Sequence, residues 1–380
     1  MQNRTEQRWD IFCRIVDNFG DIGVCWRLSQ QLANAHQLPI RLFIDDPETA
    51  QKIIPGYQPE LGPQTINRVE ICSWPNACDA IQPADVVLET FSCGIPQPYL
   101  SMMQPHTAWV NLEYLSAEKW IDDFHALPSP QANGLMRYFF FPGFTETTGG
   151  LIREHDIVLR NQHLPNETPL LSTLHQANLP EHALKISLFG YPNAPIHDFL
   201  HILQKSQQDS VVYVPNSSIL PQVAHFLGVT QTSVNATYQR GKLHIKILPF
   251  LSQDDYDSLL ANCDINFVRG EDSWVRAIWA GKPFIWQPYF QSENTHMVKL
   301  NAFLSRFYGD GDCDEATKQA IFELDCAWAQ GTITAALWQN YIQQHTLIRA
   351  YTHARTMALA EQPDLASKLV IYLQKICVQV

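Results

Sequence analysis

Two aspartates, Asp17 and Asp21, stand four positions apart in a glycine-bearing segment near the start of the chain. The segment reads Val16-Asp17-Asn18-Phe19-Gly20-Asp21-Ile22-Gly23. Gly20 and Gly23 permit tight backbone geometry, so both carboxylates can lie beside the N-terminus of a following helix, where α/β sheets bind ligands. A carboxylate in such a place acts either as a catalytic base or as an N-cap that accepts helix N–H groups. The spacing alone leaves both roles open for each residue, although two such acids are less easily explained as caps alone.

A second segment has the composition of a diphosphate site, and reads Phe267-Val268-Arg269-Gly270-Glu271-Asp272-Ser273-Trp274-Val275-Arg276. Gly270 lets a strand turn into a helix, Ser273 and neighbouring N–H groups can face a phosphate, and Arg269 can add a charge-assisted hydrogen bond. Glu271 and Asp272 suit ribose or sugar hydroxyls as hydrogen-bond acceptors. The alternative is that Asp272 or Ser273 caps the helix while the acidic residues complement its dipole.

Aromatic residues recur where strands are expected to end, at Phe189, Tyr191, Phe250 and Tyr256. A nucleotide base could stack on such rings, although each ring taken singly is more often part of a hydrophobic core. The acidic residues that follow Phe250 are typical of the capped first turn of a helix: Asp254, Asp255 and Asp257.

Short sequence motifs for metal or nucleotide binding add little to the prediction of function. Asp312-Cys313-Asp314 matches an Asp-x-Asp metal pattern, but its place in a helical tail indicates a helix cap. Gly-x-Gly-x-x-Gly and Gly-x-x-x-x-Gly-Lys-Ser/Thr are both missing from the sequence, which argues against a nicotinamide oxidoreductase and a P-loop ATPase. The histidines show no metal-ligand spacing, so no metal site is predicted.

The elements that must position these residues alternate between strands and helices. The first strand is predicted at Trp9–Val16, and a helix follows, with Val24, Leu28 and Leu32 on one face and its end near His36. Further strands of the first series are predicted at 40–44, 69–71, 86–88, 109–112 and 138–141. A second series has strands at 185–189, 211–214, 245–248, 265–268 and 283–286, with a helix at 273–280 and largely helical sequence from His296.

This alternation predicts two doubly wound α/β domains, which agrees with a chain longer than the roughly 250–300 residues of a single core. The expected limits are 1–160 for an N-terminal Rossmann-like domain, 161–182 for a linker and 183–355 for a C-terminal nucleotide-sugar-binding domain. A C-terminal helix at 356–380 is expected to pack back on the N-terminal domain. Functional residues should lie at the carboxyl ends of the strands.

Composition narrows the class of protein. The net charge of −12 argues against nucleic acid as a partner and fits a basic one. The first ten residues lack the apolar stretch of a secretory signal, and no apolar run approaches the roughly 20 residues of a membrane helix. Nine cysteines without zinc spacing are expected to be reduced thiols. We therefore expect a soluble, cytoplasmic protein that does not bind membranes.

Several long segments closely resemble the bacterial protein-arginine rhamnosyltransferases that modify elongation factor P. The resemblance spans nearly the whole chain and includes Trp-containing motifs far more specific than the short patterns above. Its segments are 9–13 and 16–28, then Asn111-Leu112-Glu113-Tyr114-Leu115-Ser116-Ala117-Glu118, Arg269-Gly270-Glu271-Asp272-Ser273 and Ala280-Gly281-Lys282-Pro283-Phe284-Ile285-Trp286-Gln287. It implies a GT-B fold, in which two Rossmann-like domains face each other across a cleft. It also implies dTDP-β-L-rhamnose as the donor substrate, inversion at the anomeric carbon, elongation factor P as the acceptor protein, and neither a metal nor a resident cofactor.

The resemblance also implies roles for individual residues. Asp21 resembles the family's general base, Asp17 a second required carboxylate, and Glu271 the essential glutamate of the donor site. Arg269, Asp272 and Ser273 match contacts to the donor diphosphate and sugar. The thymidine and sugar pocket is matched by Phe189, Tyr191, Phe250, Gln253, Tyr256 and Tyr289, of which Tyr256 stands where Phe is expected. Glu113 is assigned to the acceptor side.

A guanidinium stays protonated at ordinary pH, which restricts what Asp21 could do as the base. It would orient the cation and accept a proton late, as the nitrogen–carbon bond forms. Two alternatives remain open from the sequence: a GT-B enzyme with another nucleotide sugar or acceptor, and a non-catalytic nucleotide-sugar-binding protein.

Overall fold

The computed structural model describes residues 7–17, 19–74, 81–162, 179–180, 182–309 and 313–377. The chain forms two compact units. Unit 1 comprises Met1–Glu154 together with Gln362–Val380, and unit 2 comprises His155–Glu361. The limits of 160 and 355 expected from the sequence lie a few residues from these boundaries, and most of the expected linker, at 163–178 and 181, lies outside the described residues.

Unit 1 is built on an eight-stranded sheet with strand order β3-β4-β2-β1-β5-β6-β8-β7. The strands are β1 (Trp9–Cys13), β2 (Ile40–Ile44), β3 (Gln64–Ile66), β4 (Val69–Ser73), β5 (Val86–Thr90), β6 (Ala108–Leu112), β7 (Pro128–Pro130) and β8 (Met136–Phe140). The two edge strands, β3 and β7, pair antiparallel, and the six strands between them are parallel. The first strand is shorter than the predicted Trp9–Val16, because after Cys13 the backbone leaves the ladder and the Ile15 N–H donates to Asp45 instead.

Among the described residues, the strands of unit 1 are connected by the α-helices α1 (Gly20–Asn34), α2 (Pro47–Ile53), α3 (Gln97–Met102) and α4 (Trp120–Phe124). α1 buries the face that carries Val24, Leu28 and Leu32, as the spacing of its apolar residues predicts. A buried hydrogen-bond relay fixes this helix against the sheet: the Cys25 thiol donates to the Thr90 hydroxyl, which donates to the Phe12 carbonyl. The start of α1 is therefore held in register with the ends of β1 and β5.

Unit 2 is built on a six-stranded sheet with strand order β11-β12-β10-β9-β13-β14. Its strands are β9 (Leu184–Leu188), β10 (Ser210–Pro215), β11 (Thr237–Arg240), β12 (Leu243–Leu248), β13 (Ile265–Arg269) and β14 (Phe284–Gln287). All are parallel except the edge strand β11. The accompanying helices are α5 (Ile157–Gln162), α6 (Ile196–Gln204), α7 (Leu220–Leu227), α8 (Gln253–Asn262), α9 (Asp272–Ala280), α10 (Thr295–Leu304), α11 (Glu315–Gln330), α12 (Ala335–Gln343) and α13 (His345–Ala360).

α8 and α9 are joined by a buried ion pair. The Arg276 guanidinium donates two hydrogen bonds to the Asp257 carboxylate, at 2.7 and 2.6 Å. Asp257 therefore does not serve the capped first turn predicted for the acidic run. The cap of α8 is Ser252, whose hydroxyl oxygen accepts a hydrogen bond from the Asp255 N–H. A hydroxyl at the N-cap satisfies one of the unpaired N–H groups of the first turn, and acidic residues inside that turn complement the helix dipole.

A last helix, α14 (Leu365–Cys377), belongs to unit 1. The ammonium group of Lys368 donates to the carbonyls of Thr145, Glu146 and Thr148, and the Tyr372 hydroxyl donates to the Ala126 carbonyl. The segment expected as one helix at 356–380 thus divides into the end of α13, a short connection and α14. Across the part of the chain that the structure describes, no helix combines the length and the apolar character needed to cross a membrane.

Candidate active site

Strand order places the candidate residues at two comparable positions. In unit 1 the parallel strands run β4-β2-β1-β5-β6-β8, so the direction of strand addition reverses between β1 and β5. In unit 2 the same reversal falls between β9 and β13. Ligands of doubly wound sheets bind outside the carboxyl ends of the strands at such a reversal. Asp17 and Asp21 follow β1, whereas Arg269 ends β13 and Phe189 follows β9.

Asp21 is almost completely buried and is held by three hydrogen-bond donors. One carboxylate oxygen accepts from the amides of Val16 and Asp17, at 2.7 and 2.9 Å. The other accepts from the hydroxyl of Tyr114, at 3.1 Å. The N-cap residue of α1 is Phe19, so Asp21, the second residue of this helix, does not cap it. Its side chain instead closes the preceding loop and faces the end of β6.

Asp17 is half-buried and lies against Gly20. A Cβ atom placed on Gly20 would stand 3.3 Å from the Asp17 carboxylate oxygen, which is a tight contact for any side chain. The Gly20 N–H donates to the Asp17 carbonyl at 2.8 Å, which closes the turn into α1. The glycine therefore allows the backbone to approach the carboxylate closely. Asn18, which the sequence places between the two acids, lies outside the described residues.

Glu113 follows β6 and joins a polar network at the same edge of the unit 1 sheet. One of its carboxylate oxygens accepts from the Ser92 hydroxyl at 3.2 Å and from the amide of Asn111. Burial raises the pKa of Glu113, while the hydrogen bonds from Ser92 and Asn111 and the charge of Arg137 oppose that rise. Sequence reasoning identified Glu113 but gave no role to Tyr114 or Ser92. For Tyr114 the available signal was its place directly after Glu113 at a strand end.

In unit 2, Arg269 is buried between two aromatic rings. Its guanidinium carbon lies 4.5 Å from the ring centroid of Phe189 and 4.5 Å from that of Tyr191. These rings hold a planar cation at the carboxyl end of β13, where it can meet a negatively charged group of a ligand. Phe189 and Tyr191, which are predicted to contact a nucleotide base, therefore also hold the arginine that is predicted to bind the diphosphate.

The turn from β13 into α9 is held by hydrogen bonds to its backbone. Gly270 has φ +59°, its N–H donates to the Gln287 carbonyl, and its own carbonyl accepts from the Trp286 indole. The Ser273 hydroxyl accepts from the Arg269 N–H and donates to the Arg269 carbonyl. Ser273 therefore does not cap α9, and the N-cap residue, Glu271, makes no capping hydrogen bond with its side chain.

The N-terminus of α9 therefore lies beside Arg269, and the N–H groups of a helix N-terminus attract anions. The structure places Asp272 as the first residue of this helix. Gln287 is a further residue that sequence reasoning quoted without a role: its side-chain oxygen accepts from the Tyr191 N–H, at 2.9 Å. The end of β14 thereby fixes both the Tyr191 loop and the Gly270 turn.

The remaining predicted pocket residues extend from these rings. Tyr256 meets the Phe189 ring at a centroid distance of 5.6 Å, and Tyr289 meets the Tyr191 ring at 5.6 Å, both edge to face. Burial raises the pKa of the Tyr256 hydroxyl. Phe250, which follows β12, and Tyr289 are exposed, whereas Gln253 is half-buried at the start of α8. Phe189, Tyr191, Arg269, Tyr256 and Tyr289 therefore form one connected aromatic and cationic group.

The Asp-x-Asp pattern behaves as a helix cap at the position that is described. Asp314 is the N-cap residue of α11 and accepts from the N–H and hydroxyl of Thr317, at 3.0 and 2.7 Å. Asp312 lies outside the described residues. Among the described residues, no group of three or more His, Cys, Asp and Glu side chains is arranged to hold a metal ion.

Solved structures show how widely this fold is shared. A structure from work on the structural basis for EarP-mediated arginine glycosylation of translation elongation factor EF-P superposes with a TM-score of 0.69 at 29% identity, covering 97% of this chain and 99% of that one. TcCGT1 in complex with UDP superposes with a TM-score of 0.55 at 10% identity, covering 98% and 99%. The latter similarity shows the fold alone, a two-domain α/β architecture of the GT-B type.

Sequence comparison gives the family. The model of the Elongation-Factor P (EF-P) rhamnosyltransferase EarP matches residues 9–374. The protein-arginine rhamnosyltransferase of Pseudomonas aeruginosa is 41% identical over 369 residues, which cover 95% of this chain and 97% of the relative. That of Shewanella oneidensis is 35% identical over 388 residues, covering 97% and 98%. With a match over nearly its whole length and the two switch-point sites in place, this chain belongs to the EarP family of EF-P rhamnosyltransferases.

Proposed function

We propose that this protein transfers L-rhamnose from dTDP-β-L-rhamnose to an arginine side chain of translation elongation factor P, with inversion at the anomeric carbon. Family membership supports the reaction class and the acceptor protein. The observation that carries the proposal is the buried Asp21 carboxylate, held by three donors at the switch point of unit 1. A carboxylate offers about four acceptor positions, so one is left for an N–H of the acceptor guanidinium.

The acceptor is charged before the reaction, which fixes the order of events at its nitrogen. A guanidinium with a pKa above about 12 is a poor nucleophile, and no carboxylate removes its proton in the ground state. We assign to Asp21 the tasks of orienting the guanidinium and accepting one proton as the nitrogen–carbon bond forms and the carbon–oxygen bond to dTDP breaks. Asp17 and Glu113 add negative charge to the acceptor side and fix the planar fork of the guanidinium.

The leaving dTDP gains negative charge, and unit 2 supplies two features that stabilise it. Arg269 lies between its two rings, and the N-terminus of α9 adds the partial positive charge of its backbone N–H groups. We therefore propose that the diphosphate leaves without help from a metal ion. Glu271 and Asp272 are assigned to donor sugar hydroxyls and Ser273, through its backbone N–H, to the diphosphate. The thymidine pocket is assigned to Phe189, Tyr191, Phe250, Gln253, Tyr256 and Tyr289.

The net charge of the protein supports the proposed acceptor, and the state of its cysteines supports a cytoplasmic location. The net charge of −12 attracts an acceptor loop that carries an arginine. The cysteines of the described residues are free thiols at positions 13, 25, 72, 93, 263, 313 and 326. Free thiols fit the reducing cytoplasm in which translation takes place, and we propose that location.

Incubation with dTDP-β-L-rhamnose and elongation factor P, read by intact mass spectrometry, tests the proposal. We expect the acceptor to gain the mass of one deoxyhexose. Asp21→Asn should reduce the initial rate by a factor on the order of 10² or more, since it removes the proton acceptor. Asp198→Asn, an exposed aspartate of α6 in unit 2, is the matched control and should modify the acceptor at the wild-type rate. An unmodified acceptor with the wild-type protein contradicts the proposed function, and a stronger thermal shift with UDP than with dTDP contradicts the proposed donor.

A further inference from the structure

We infer that Phe91 and Ser92, a left-handed turn at the end of β5, form a positioning element that orients two carboxylates: Asp21 through Tyr114, and Glu113 directly. The inference rests on the proposed function, because it gives these carboxylates their place in the reaction. It adds two residues, Phe91 and Ser92, to the site in unit 1. The turn lies at the strand reversal of unit 1. On one side is the loop after β1 that carries Asp17 and Asp21, and on the other is Glu113, which follows β6.

The backbone of this turn is unusual for residues with side chains. Phe91 has φ +55° and Ser92 has φ +52°, and both values lie in the left-handed region that favours glycine. Such conformations cost free energy and persist where the surrounding structure imposes them, often at functional sites. Here the Phe91 N–H donates to the Leu112 carbonyl at 2.7 Å, and the Ser92 N–H donates to the Asn111 side chain at 3.1 Å. Two residues at the end of β6 thus impose the turn.

The first residue of the turn acts on Asp21 through an aromatic contact. The Phe91 ring stacks on the Tyr114 ring with the centroids 4.2 Å apart and the planes 8° from parallel. Tyr114 is 40% exposed, so burial alone does not fix its ring, and the stack supplies a wall against which it rests. From that position the Tyr114 hydroxyl donates to Asp21 at 3.1 Å. The orientation of Asp21 therefore depends on a ring that does not contact it.

The second residue of the turn acts on Glu113. The Ser92 hydroxyl donates to the Glu113 carboxylate at 3.2 Å, and it accepts a hydrogen bond from the Asn111 amide at 3.1 Å. The same amide also donates to Glu113. A relaxed turn would point these adjacent side chains elsewhere, because their directions follow from the backbone dihedrals. One strained dipeptide thus fixes a carboxylate on each side of the switch point.

Steady-state kinetics of the full-length protein with dTDP-β-L-rhamnose and elongation factor P tests this role. Tyr114→Phe keeps the stack and removes the hydroxyl, and Phe91→Leu removes the stack and keeps the hydroxyl. Both variants should lower kcat about tenfold, as the loss of one hydrogen bond to a charged group predicts, with the KM for the donor unchanged. Phe91→Tyr, which restores an aromatic ring, should return kcat to within about twofold of wild type.

A double-mutant cycle separates positioning from a general structural role. If Phe91 acts through the Tyr114 hydroxyl, the double variant should be no slower than Tyr114→Phe alone. A merely structural Phe91 would instead add its own loss to that of Tyr114 and lower the melting temperature, without a ring-specific rescue. The contact with Glu113 is tested separately. Ser92→Ala removes the hydrogen bond to that carboxylate. It should raise the KM for elongation factor P about threefold or more and leave the KM for the donor unchanged.

The outcomes distinguish this inference from the proposed function. If Asp21→Asn is inactive while Tyr114→Phe and Phe91→Leu keep the wild-type kcat, the proposed function stands and the positioning role is wrong. If Asp21→Asn itself keeps the wild-type rate, the catalytic assignment of Asp21 fails first. Circular dichroism spectra and melting curves of each variant show whether a lost rate reflects a lost fold.

Discussion

Asp21 accepts hydrogen bonds from donors that are both near and distant in the sequence. The Val16 and Asp17 amides belong to its own loop, whereas Tyr114 lies 93 positions further along the chain. Sequence patterns identify the two acids and their neighbouring glycines because these residues lie within one short segment. They do not identify the Tyr114 contact, which follows from β5 lying between β1 and β6 in the sheet. Long-range partners of this kind are set by strand order, which no local pattern encodes.

Replacement of Gly20 by alanine should separate activity from stability. Alanine favours the first turn of α1, and Gly20 does not need a left-handed backbone, so we expect no loss of stability. The new Cβ would press on the Asp17 carboxylate from 3.3 Å, and the initial rate should fall roughly fivefold or more through displacement of that group by a fraction of an ångström. Initial rates and melting temperatures of the variant measure the two effects.

Gly309→Ala is the matched control for this substitution. Among the described residues, the atom nearest to a Cβ added at Gly309 is the Cβ of Ser305, 4.0 Å away. Alanine is therefore not crowded by them at this position. We expect wild-type rates from this control. Equal rates for Gly20→Ala and wild type would show that the close approach to Asp17 has no part in the reaction.

Arg269 should not be replaceable by lysine. The guanidinium is planar and stacks on both Phe189 and Tyr191, whereas an ammonium group is compact and strongly hydrated. We expect Arg269→Lys to raise the KM for dTDP-β-L-rhamnose about tenfold, since a desolvated cation–π contact is worth up to about 2 kcal/mol. Arg349→Lys, an exposed arginine of α13, is the control and should leave donor kinetics unchanged. Unaltered donor kinetics in Arg269→Lys would contradict the assignment of Arg269 to the diphosphate.

At the scale of elements, the buried parallel strands could be predicted within a few residues and the edge strands could not. Strands that are buried on both faces contain short apolar runs, as in Val86–Leu88 and Val211–Val214. The antiparallel edges β3, β7 and β11 are short and polar or rich in proline, as in Pro128–Pro130. Their pairing depends on an already formed neighbour, so the sequence of the edge itself carries no clear signal.

The packing of α11 on β14 includes an acid with no charged partner among the described residues. Asp325 is buried, one of its oxygens accepts from the Trp286 N–H at 3.1 Å, and the other has no hydrogen-bond partner. Burial raises the pKa of Asp325 well above its ordinary value. The folded protein therefore keeps a proton there that the unfolded chain releases above about pH 4, so this residue lowers stability as the pH rises.

Asp325→Asn should remove that pH dependence. Asparagine keeps an oxygen for the Trp286 N–H and does not ionise. We expect the variant to raise the melting temperature at pH 8 by at least ~2 °C, the shift that about 1 kcal/mol produces in a domain of this size, and to give a smaller gain at pH 4. Melting curves at both pH values measure the difference. An identical gain at both pH values would contradict the ionisation argument.

At the scale of the whole molecule, the fold class and the division into two α/β units follow from the alternation of strands and helices. The C-terminal segment is expected from the sequence to pack on the N-terminal domain, and the structure places α14 in unit 1 and identifies its contacts there. Lys368 binds carbonyls of a loop more than two hundred residues earlier, and Leu365 and Leu369 are buried in unit 1. Apolar spacing shows that α14 has a buried face, but it does not show which sheet that face covers.

Acid should weaken unit 1 through His125. Burial, followed by the nearby charge of Lys368, lowers the pKa of His125 to about 4, and its ring nitrogen accepts from the Phe141 N–H. The unfolded histidine titrates near 6.5, so its contribution is complete above that pH and is lost as the pH falls toward 4. We expect the melting temperature of His125→Asn to fall less between pH 7 and pH 5 than that of the wild type. His106→Asn, at an exposed position, should retain the wild-type dependence, and equal slopes for both variants would contradict the assignment.

The return of the chain from unit 2 to unit 1 also sets an order of events during synthesis. The ribosome makes His155–Glu361 before it makes the residues of α14, so most of unit 2 can begin to fold while unit 1 still lacks a helix. Until α14 has formed, the surface of unit 1 that Leu365, Leu369 and Leu373 later cover is exposed to solvent. The nascent protein therefore passes through a stage in which unit 1 is incomplete and open to chaperones, while most of unit 2 has already been made.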